Sequence, residues 1–334
     1  MTRAPLRISL AGGGSDLPSF YVQDFGEVLS FSINKYVYIA AHSYFSGGIR
    51  LSYSQTETVT NFQSIRHPLF KNVLKYFNFD GNIELSSFAD IPGTGTGLGS
   101  SSAFTVALVR SLSQYMKLEH STEEIARIAC EVEIEMCGDP IGKQDQYASA
   151  FGGIKRYRFN ADHSVSVIDK GDFTTKTDFL NNSLLLFYTG YGRSSTTILE
   201  NQSSSMISSK QSYRAVARIR DKVRGMEDAI AAEDVYRLGD LIDSAWQEKK
   251  SLDAGISNSE IDELLLYARK FGSLGGKLVG AGGGGFLLVC VPSERRAEFL
   301  KNFTLLPNFP FRISHTGVEV IYSEGEESGW IAQT

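Results

Sequence analysis

The chain lacks what would take it into a membrane or onto a nucleic acid. Apolar runs such as Phe286–Val291 and Leu184–Tyr188 fall far short of the ~20 residues a spanning helix needs. The opening MTRAPLRISLAGGG has no signal-peptide apolar stretch. Basic residues do not dominate: 33 Lys and Arg against 38 Asp and Glu give a formal net charge of −5, the wrong sign for displacing counterions from a phosphate backbone or an anionic lipid surface. Cysteine is scarce. Cys130, Cys137 and Cys290 are odd in number and show no CxxC spacing, and the first two lie too far apart along a helical pattern to bridge. A reducing, cytoplasmic setting is expected. Histidines at 42, 67, 120, 163 and 315 have no ligand spacing, which argues against an all-protein zinc site. The expectation is a soluble protein with small-molecule partners, neither nucleic acid nor membrane among them, and with its oligomeric state open.

With 334 residues, 42% hydrophobic and 21% charged, the chain can bury one large core or two of ordinary domain size. LRISLA (6–11), EVLSFSINKYVYIAAHSYF (27–45) and GNIELSSF (81–88) read as strands, the last running into a glycine loop. AFTVALVRSLSQYM then reads as a helix, and Ser121 with Glu124 forms a capping box ahead of EEIARIACEVEIEM. The polar GDFTTKTDFLNN (171–182) suggests a boundary near 170–182, dividing the chain into 1–178 and 179–334. The second half reads as helices at about 196–231, 233–250 and 258–272, a hairpin through GGKLVGAGGGGFLLVCV, helical SERRAEFLKNF and a last strand in RISHTGVEVIY. The layout is α+β. SSSMISS (203–209) and EGEESG (324–329) are low-complexity runs, and no long-period repeat is present.

Three glycine-rich stretches remain. Neither GDPIGKQ (138–144) nor GSLGGKL (272–278) has the spacing and hydroxyl of a Walker A loop. Gly280, Gly282 and Gly285 formally match GxGxxG, but a strand-like FLLVCV follows where a dinucleotide fold needs a helix. PGTGTGLGSSSAF (92–104) differs, because it sits between a strand and a helix, where bare N–H groups and the positive helix end converge on an anion. Taken alone it fits a Gly/Ser connector equally well.

Order settles what single motifs leave open. APLRISLAGGGSD (4–16), PGTGTGLGSSSA (92–103) and KLVGAGGGGF (277–286), with EIEMCGDPIGKQDQYASAFGG (133–153) between the last two, resemble the GHMP kinases, the family named for galacto-, homoserine, mevalonate and phosphomevalonate kinases. The motifs span residues 4–286. The resemblance implies a two-domain fold: an N-terminal α/β domain with a left-handed β-α-β crossover, a ferredoxin-like C-terminal domain, and a site in the cleft between them. It implies ATP and Mg²⁺ as cofactors. Gly93, Gly95, Gly97, Leu98, Gly99, Ser100, Ser101 and Ser102 would cradle the ATP phosphates, and Ser101 and Glu133 would hold the metal. Asp145 would be the general base or orient the nucleophile, and Arg7 would keep that carboxylate ionised and favour developing oxyanion charge.

Substrate contacts are expected from Gly13, Gly14, Ser15, Asp16, Asp145, Arg193, Gly282 and Gly283. Gly13 and Gly14 stand where galactokinase carries Glu and His, which opens space and adds approachable N–H groups for a larger or phosphorylated sugar. GGGSDLPSFY and YTGYGRSST (188–196) resemble the branch acting at the anomeric carbon of heptose phosphates. A related anomeric sugar kinase, such as a fucokinase, or a catalytically silent sugar-sensing regulator are the alternatives. Independently of the resemblance, at 100° per residue Ile125, Ile128, Ala129, Val132 and Met136 form an apolar stripe, with Glu124, Glu131 and Glu135 well away from it. Glu133 falls at the stripe's edge, from which it can turn towards a cleft.

Overall fold

The computed structural model describes residues 1–92, 95–168, 173–190 and 195–323; Gly93 and Arg193 lie outside the described residues. The first half alternates strands and helices: β1 (Thr2–Ala11), a single turn α1 (Pro18–Tyr21), β2 (Gly26–Ser43), the hairpin β3 (Ile49–Ser52) and β4 (Thr56–Val59), α2 (Pro68–Tyr76), β5 (Ile83–Ala89), α3 (Ser100–Tyr115), α4 (Thr122–Cys130), α5 (Gln144–Phe151), and the hairpin β6 (Ile154–Phe159) and β7 (Val165–Ile168). The second half runs α6 (Thr177–Ser183), β8 (Leu184–Tyr188), α7 (Ser195–Ser208), α8 (Lys210–Ala231), α9 (Val235–Lys250), α10 (Ser259–Lys270), β9 (Gly275–Leu278), β10 (Phe286–Cys290), α11 (Arg296–Asn302) and β11 (Glu319–Val320). Among the described residues no helix is long and apolar enough to cross a membrane.

β2 organises the large sheet. One edge pairs with β1 over nearly its whole length; the other is shared, first by β6 (Gly26↔Phe159 to Phe31↔Ile154) and then by β5 (Val37↔Ala89 to Ser43↔Ile83). Its first eight residues are all buried, whereas buried and half-buried residues alternate from Val37 to Ala40 and the strand ends exposed. A strand covered on both faces cannot show clean two-residue alternation. α3 and α5, and α8 from the second half, pack on β1 and β2. Buried Arg156 reaches Glu27 at 2.9 Å and Glu227 at 3.0 Å, joining β6, β2 and α8 through one guanidinium.

The small sheet has the order β8-β10-β9, fully antiparallel. Asn308 adds an isolated antiparallel bridge to Phe187 of β8. With α7–α10 in one crossover and α11 in the other, that order is the expected ferredoxin-like pattern, its fourth strand reduced to a single bridge. RISHTGVEVIY behaves differently from its reading as a last strand of the second half. Only Glu319–Val320 is strand, and it pairs with β1 at the edge of the large sheet. On the way the chain is bonded to the first half at Asn34, Ser32, Gly153 and Ala150. The polar stretch before β8 also contains helix α6 rather than plain connector.

Two glycine segments touch without side chains between them. An ideal Cβ on Gly97 would lie 2.2 Å from Val279 O, one on Gly280 would lie 2.5 Å from Gly97 Cα, and one on Gly285 would lie 2.5 Å from Thr96 O. The 95–99 loop of the first half is thereby seated directly on the β9–β10 turn. Gly97→Ala is expected to lower the free energy of unfolding by on the order of 2–4 kcal/mol, from overpacking and left-handed strain together. Gly138 shares the positive φ but has nothing within 4 Å of its Cβ position, so Gly138→Ala should cost only about 1 kcal/mol. Chemical denaturation of both variants measures the difference.

Candidate active site

Gly95, Gly97 and Gly99 have φ of 72°, 76° and 74° and alternate with Thr96 and Leu98. Such alternation turns successive N–H groups towards one side, forming a concavity for anions. α3 begins at Ser100 with Gly99 as its N-cap and no side-chain cap, so its first N–H groups have no side-chain acceptor. The loop and helix start open onto a cleft of about 570 Å³. Gly95, Gly97, Gly99, Ser100, Ser101 and Ser102 line it. Leu98 does not: it is fully buried, its N–H goes to Thr96 Oγ1 and its carbonyl accepts the Arg7 N–H. Its expected phosphate contact is corrected to a packing role.

Arg7, only 4% exposed on β1, forks onto the first turn of α5. Nε donates to Asp145 Oδ1 at 2.7 Å and Nη2 to Oδ2 at 2.5 Å, while Nη1 donates to Gly97 O at 2.6 Å. One planar group thus fixes both carboxylate oxygens and the glycine loop, a bidentate geometry that lysine cannot reproduce. Gly99 admits the pair, since its Cβ position lies 3.2 Å from Asp145 Oδ2.

Asp16 lines the cleft beside Gly13 and Gly14. Oδ1 accepts the Gly14 N–H at 2.9 Å and Oδ2 the Gln144 N–H at 3.4 Å. Burial, and then the charge of Asp145, push its carboxyl above the usual range. Gly142 is required here because its Cβ would sit 2.0 Å from Asp16 Oδ2. Ser15 points away from the cleft. Its hydroxyl donates to Gly12 O and Glu27 O and accepts the Glu27 N–H, so it fastens the loop to β2 instead of meeting substrate. Gly282 lines the cleft, but the Gly283 N–H is donated to Ile256 O at 3.0 Å and is not presented to a ligand.

Glu133 departs from its wheel position. Residues Glu131–Met136 are π-helical, a wider winding often found at functional sites, and the change of angular step carries Glu133 to full burial. It lies behind Ser101, outside the cleft wall. Ser101 Oγ donates to Glu133 Oε1 at 2.9 Å and Gln146 Nε2 to Oε2 at 2.5 Å.

A model of the GHMP kinases N terminal domain matches residues 66–153, and one of the GHMP kinases C terminal matches 226–303. Mevalonate kinase of Thermococcus onnurineus is 30% identical over 72% of this chain and 70% of its own. The chain belongs to the GHMP kinase family. Kinases of this family use ATP, and this one is a phosphotransferase with an alcohol acceptor. The D-glycero-alpha-D-manno-heptose 7-phosphate kinase of Campylobacter jejuni is 27% identical over 90% of this chain and 91% of its own. The crystal structure of a D-glycero-D-manno-heptose 1-phosphate kinase from Bacteroides thetaiotaomicron superposes with a TM-score of 0.77 at 24% identity, covering 96% of this chain and 99% of that one.

Sequence reasoning passed over part of the cleft of this GHMP kinase. Lys249 on α9 and Lys277 on β9 are buried and line it. In sequence Lys249 is one of the basic residues ending a helix and Lys277 a lysine beside a strand. Gln202 and Trp246 also line the cleft, and no local spacing marks them.

Burial raises the Glu133 carboxyl from the usual 4.5 to about 7, against the opposing hydrogen bonds of Ser102, Gln146, Ser101 and Thr105. The folded protein therefore keeps a proton that the unfolded chain releases in that interval, and this contribution to stability is lost as pH rises through about 7. Glu133→Gln removes it. In buffer without divalent cations, the stability of the variant relative to the parent should rise by on the order of 2–3 kcal/mol between pH 5 and pH 8, read from paired denaturation curves.

Proposed function

We propose that this GHMP kinase transfers the γ-phosphoryl group of ATP to the anomeric hydroxyl of D-glycero-D-manno-heptose 7-phosphate, giving the 1,7-bisphosphate in the cytoplasm for nucleotide-activated heptoses of surface glycans. The observation that carries the reading is the Arg7 fork, which aims a fixed carboxylate into the cleft beside the glycine loop. Asp145 takes the proton of the acceptor hydroxyl or orients that hydroxyl as it attacks. Arg7 stays beside the developing oxyanion. The N–H groups of the 95–99 loop and the start of α3 hold the triphosphate in line. Asp16 contacts a sugar hydroxyl, and bare Gly13–Gly14 leaves room for a seven-carbon phosphorylated acceptor. The choice of heptose 7-phosphate is supported by the Campylobacter jejuni relative, which the chain matches over nearly its whole length.

Ser101 and Glu133 fit a hard divalent cation. Both offer oxygen, 2.9 Å apart, and the buried Glu133 carboxylate has only neutral hydrogen-bond partners among the described residues. They would hold Mg²⁺, which when bound neutralises phosphate charge.

Asp145→Asn should lower kcat by about 10²- to 10⁴-fold with the fold intact, as measured by coupled assay and circular dichroism. Undiminished turnover would remove Asp145 from the chemistry. Offered ATP, Mg²⁺ and a panel of sugars with and without terminal phosphates, the enzyme should prefer the heptose 7-phosphate. Equal turnover of unphosphorylated hexoses would defeat that assignment.

A further inference from the structure

Four residues that line the cleft each carry a buried side-chain polar atom with no hydrogen-bond partner among the described residues: Ser9 Oγ, Gln144 Oε1, Gln202 Nε2 and Trp246 Nε1. They come from β1, α5, α7 and α9, so the fold has brought residues of separate elements to one cleft. The Cβ position of Gly13 lies 3.8 Å from both Ser9 Oγ and Gln144 Nε2, and that of Gly14 only 2.2 Å from Gln202 Nε2. Buried polar groups are ordinarily paired, and four left unpaired around one cleft point to a ligand that completes them.

Two lysines line the same cleft. Lys277 Nζ donates to Ser9 O at 2.8 Å and Leu10 O at 3.0 Å, and Lys249 Nζ donates to Gly280 O. Neither forms an ion pair among the described residues. An ammonium carries three donors, so each keeps at least one for a ligand. Burial lowers Lys249 to about 8, with Arg7 adding to the shift and Asp16 and Asp145 opposing it. Lys277 is lowered well below the usual lysine value by burial, then by Lys249 and Arg7. An anion lodged between the two restores their charged forms.

We infer that Ser9, Gln202, Trp246, Lys249 and Lys277 form a subsite for a phosphate monoester on the acceptor, at the end remote from the hydroxyl facing Asp145. The inference rests on the sugar-phosphate reading above. Donors outnumber acceptors among these five residues, as a dianion requires, while Gln144 Oε1 and the Asp16 carboxylate beside Gly14 are left to accept from sugar hydroxyls. Along β1, Ser9 stands two residues beyond Arg7, roughly 7 Å away, a separation that the length of a sugar spans between Asp145 and this subsite.

The test compares kcat/KM for heptose 7-phosphate with that for the dephosphorylated heptose, and the KM for ATP, in the parent, Lys249→Met, Lys277→Met and Trp246→Phe. Removing a buried ammonium relieves its desolvation, so Lys249→Met should fold with a raised Tm. In each lysine variant the preference for the phosphorylated acceptor should fall 10- to 100-fold, and in Trp246→Phe, which deletes only one N–H, about 3- to 10-fold. KM for ATP should move less than threefold. An unchanged preference in folded variants overturns the proposal, as does a KM for ATP that rises in step with both acceptors, which would give the lysines to the nucleotide. A parent enzyme preferring another phosphorylated sugar sinks the heptose assignment yet supports the subsite if that preference collapses in the variants. A parent indifferent to the terminal phosphate overturns the subsite and leaves an anomeric kinase.

Discussion

Everything in the cleft is referred to the three bonds of one guanidinium. Arg7 grips both oxygens of Asp145 and the carbonyl of Gly97, so the carboxylate and the glycine loop cannot drift independently. β1 supplies the arginine from a strand paired along its length with β2, while its partners come from a helix start and a glycine loop. A reaction that depends on alignment more than on covalent help from the protein is served by such a clamp. The cost of misplacement is borne by one residue at 4% exposure.

The second constraint is the absence of side chains where the halves of the chain meet. Gly97 against Val279 and Gly280, and Gly285 against Thr96 and Gly95, make a contact in which backbone meets backbone. No larger residue fits there without moving one half relative to the other. The third glycine stretch thus owes its composition to packing on the first as much as to approach by a ligand. Its Gly283 N–H, committed to Ile256, fits that role.

Much of this was legible along the chain. The strand Ile83–Ala89 and the helix Ser100–Tyr115 stand where the pattern places them, and the Ser121–Glu124 capping box is closed in both directions. Local signals carry local structure. What they missed depends on partners distant in sequence or on irregular winding. Ser15 reads as a contact residue because its bond to Glu27, across a turn, has no signature. Glu133 reads as a stripe-edge residue because a wheel assumes uniform α-winding, and the π-turn breaks that assumption. Trp246 and Lys249 fit the apolar face and basic end of an ordinary helix, and only tertiary convergence gives them a place in the cleft. The strand at 319–320 went to the other sheet because two residues are too few to encode a destination.

That returning segment sets an order of events during synthesis. Gly152 lies so close to Gly317 that a Cβ would come within 2.3 Å of its nitrogen, and Val318 donates to Ala150 O at the end of α5. The helix bearing Asp145 is therefore braced from behind by residues that the ribosome delivers long after it. A nascent chain that has already made its glycine loops and the small sheet still lacks this brace, and the Asp145 carboxylate gains its backstop only once Gly317 and Val318 have been added.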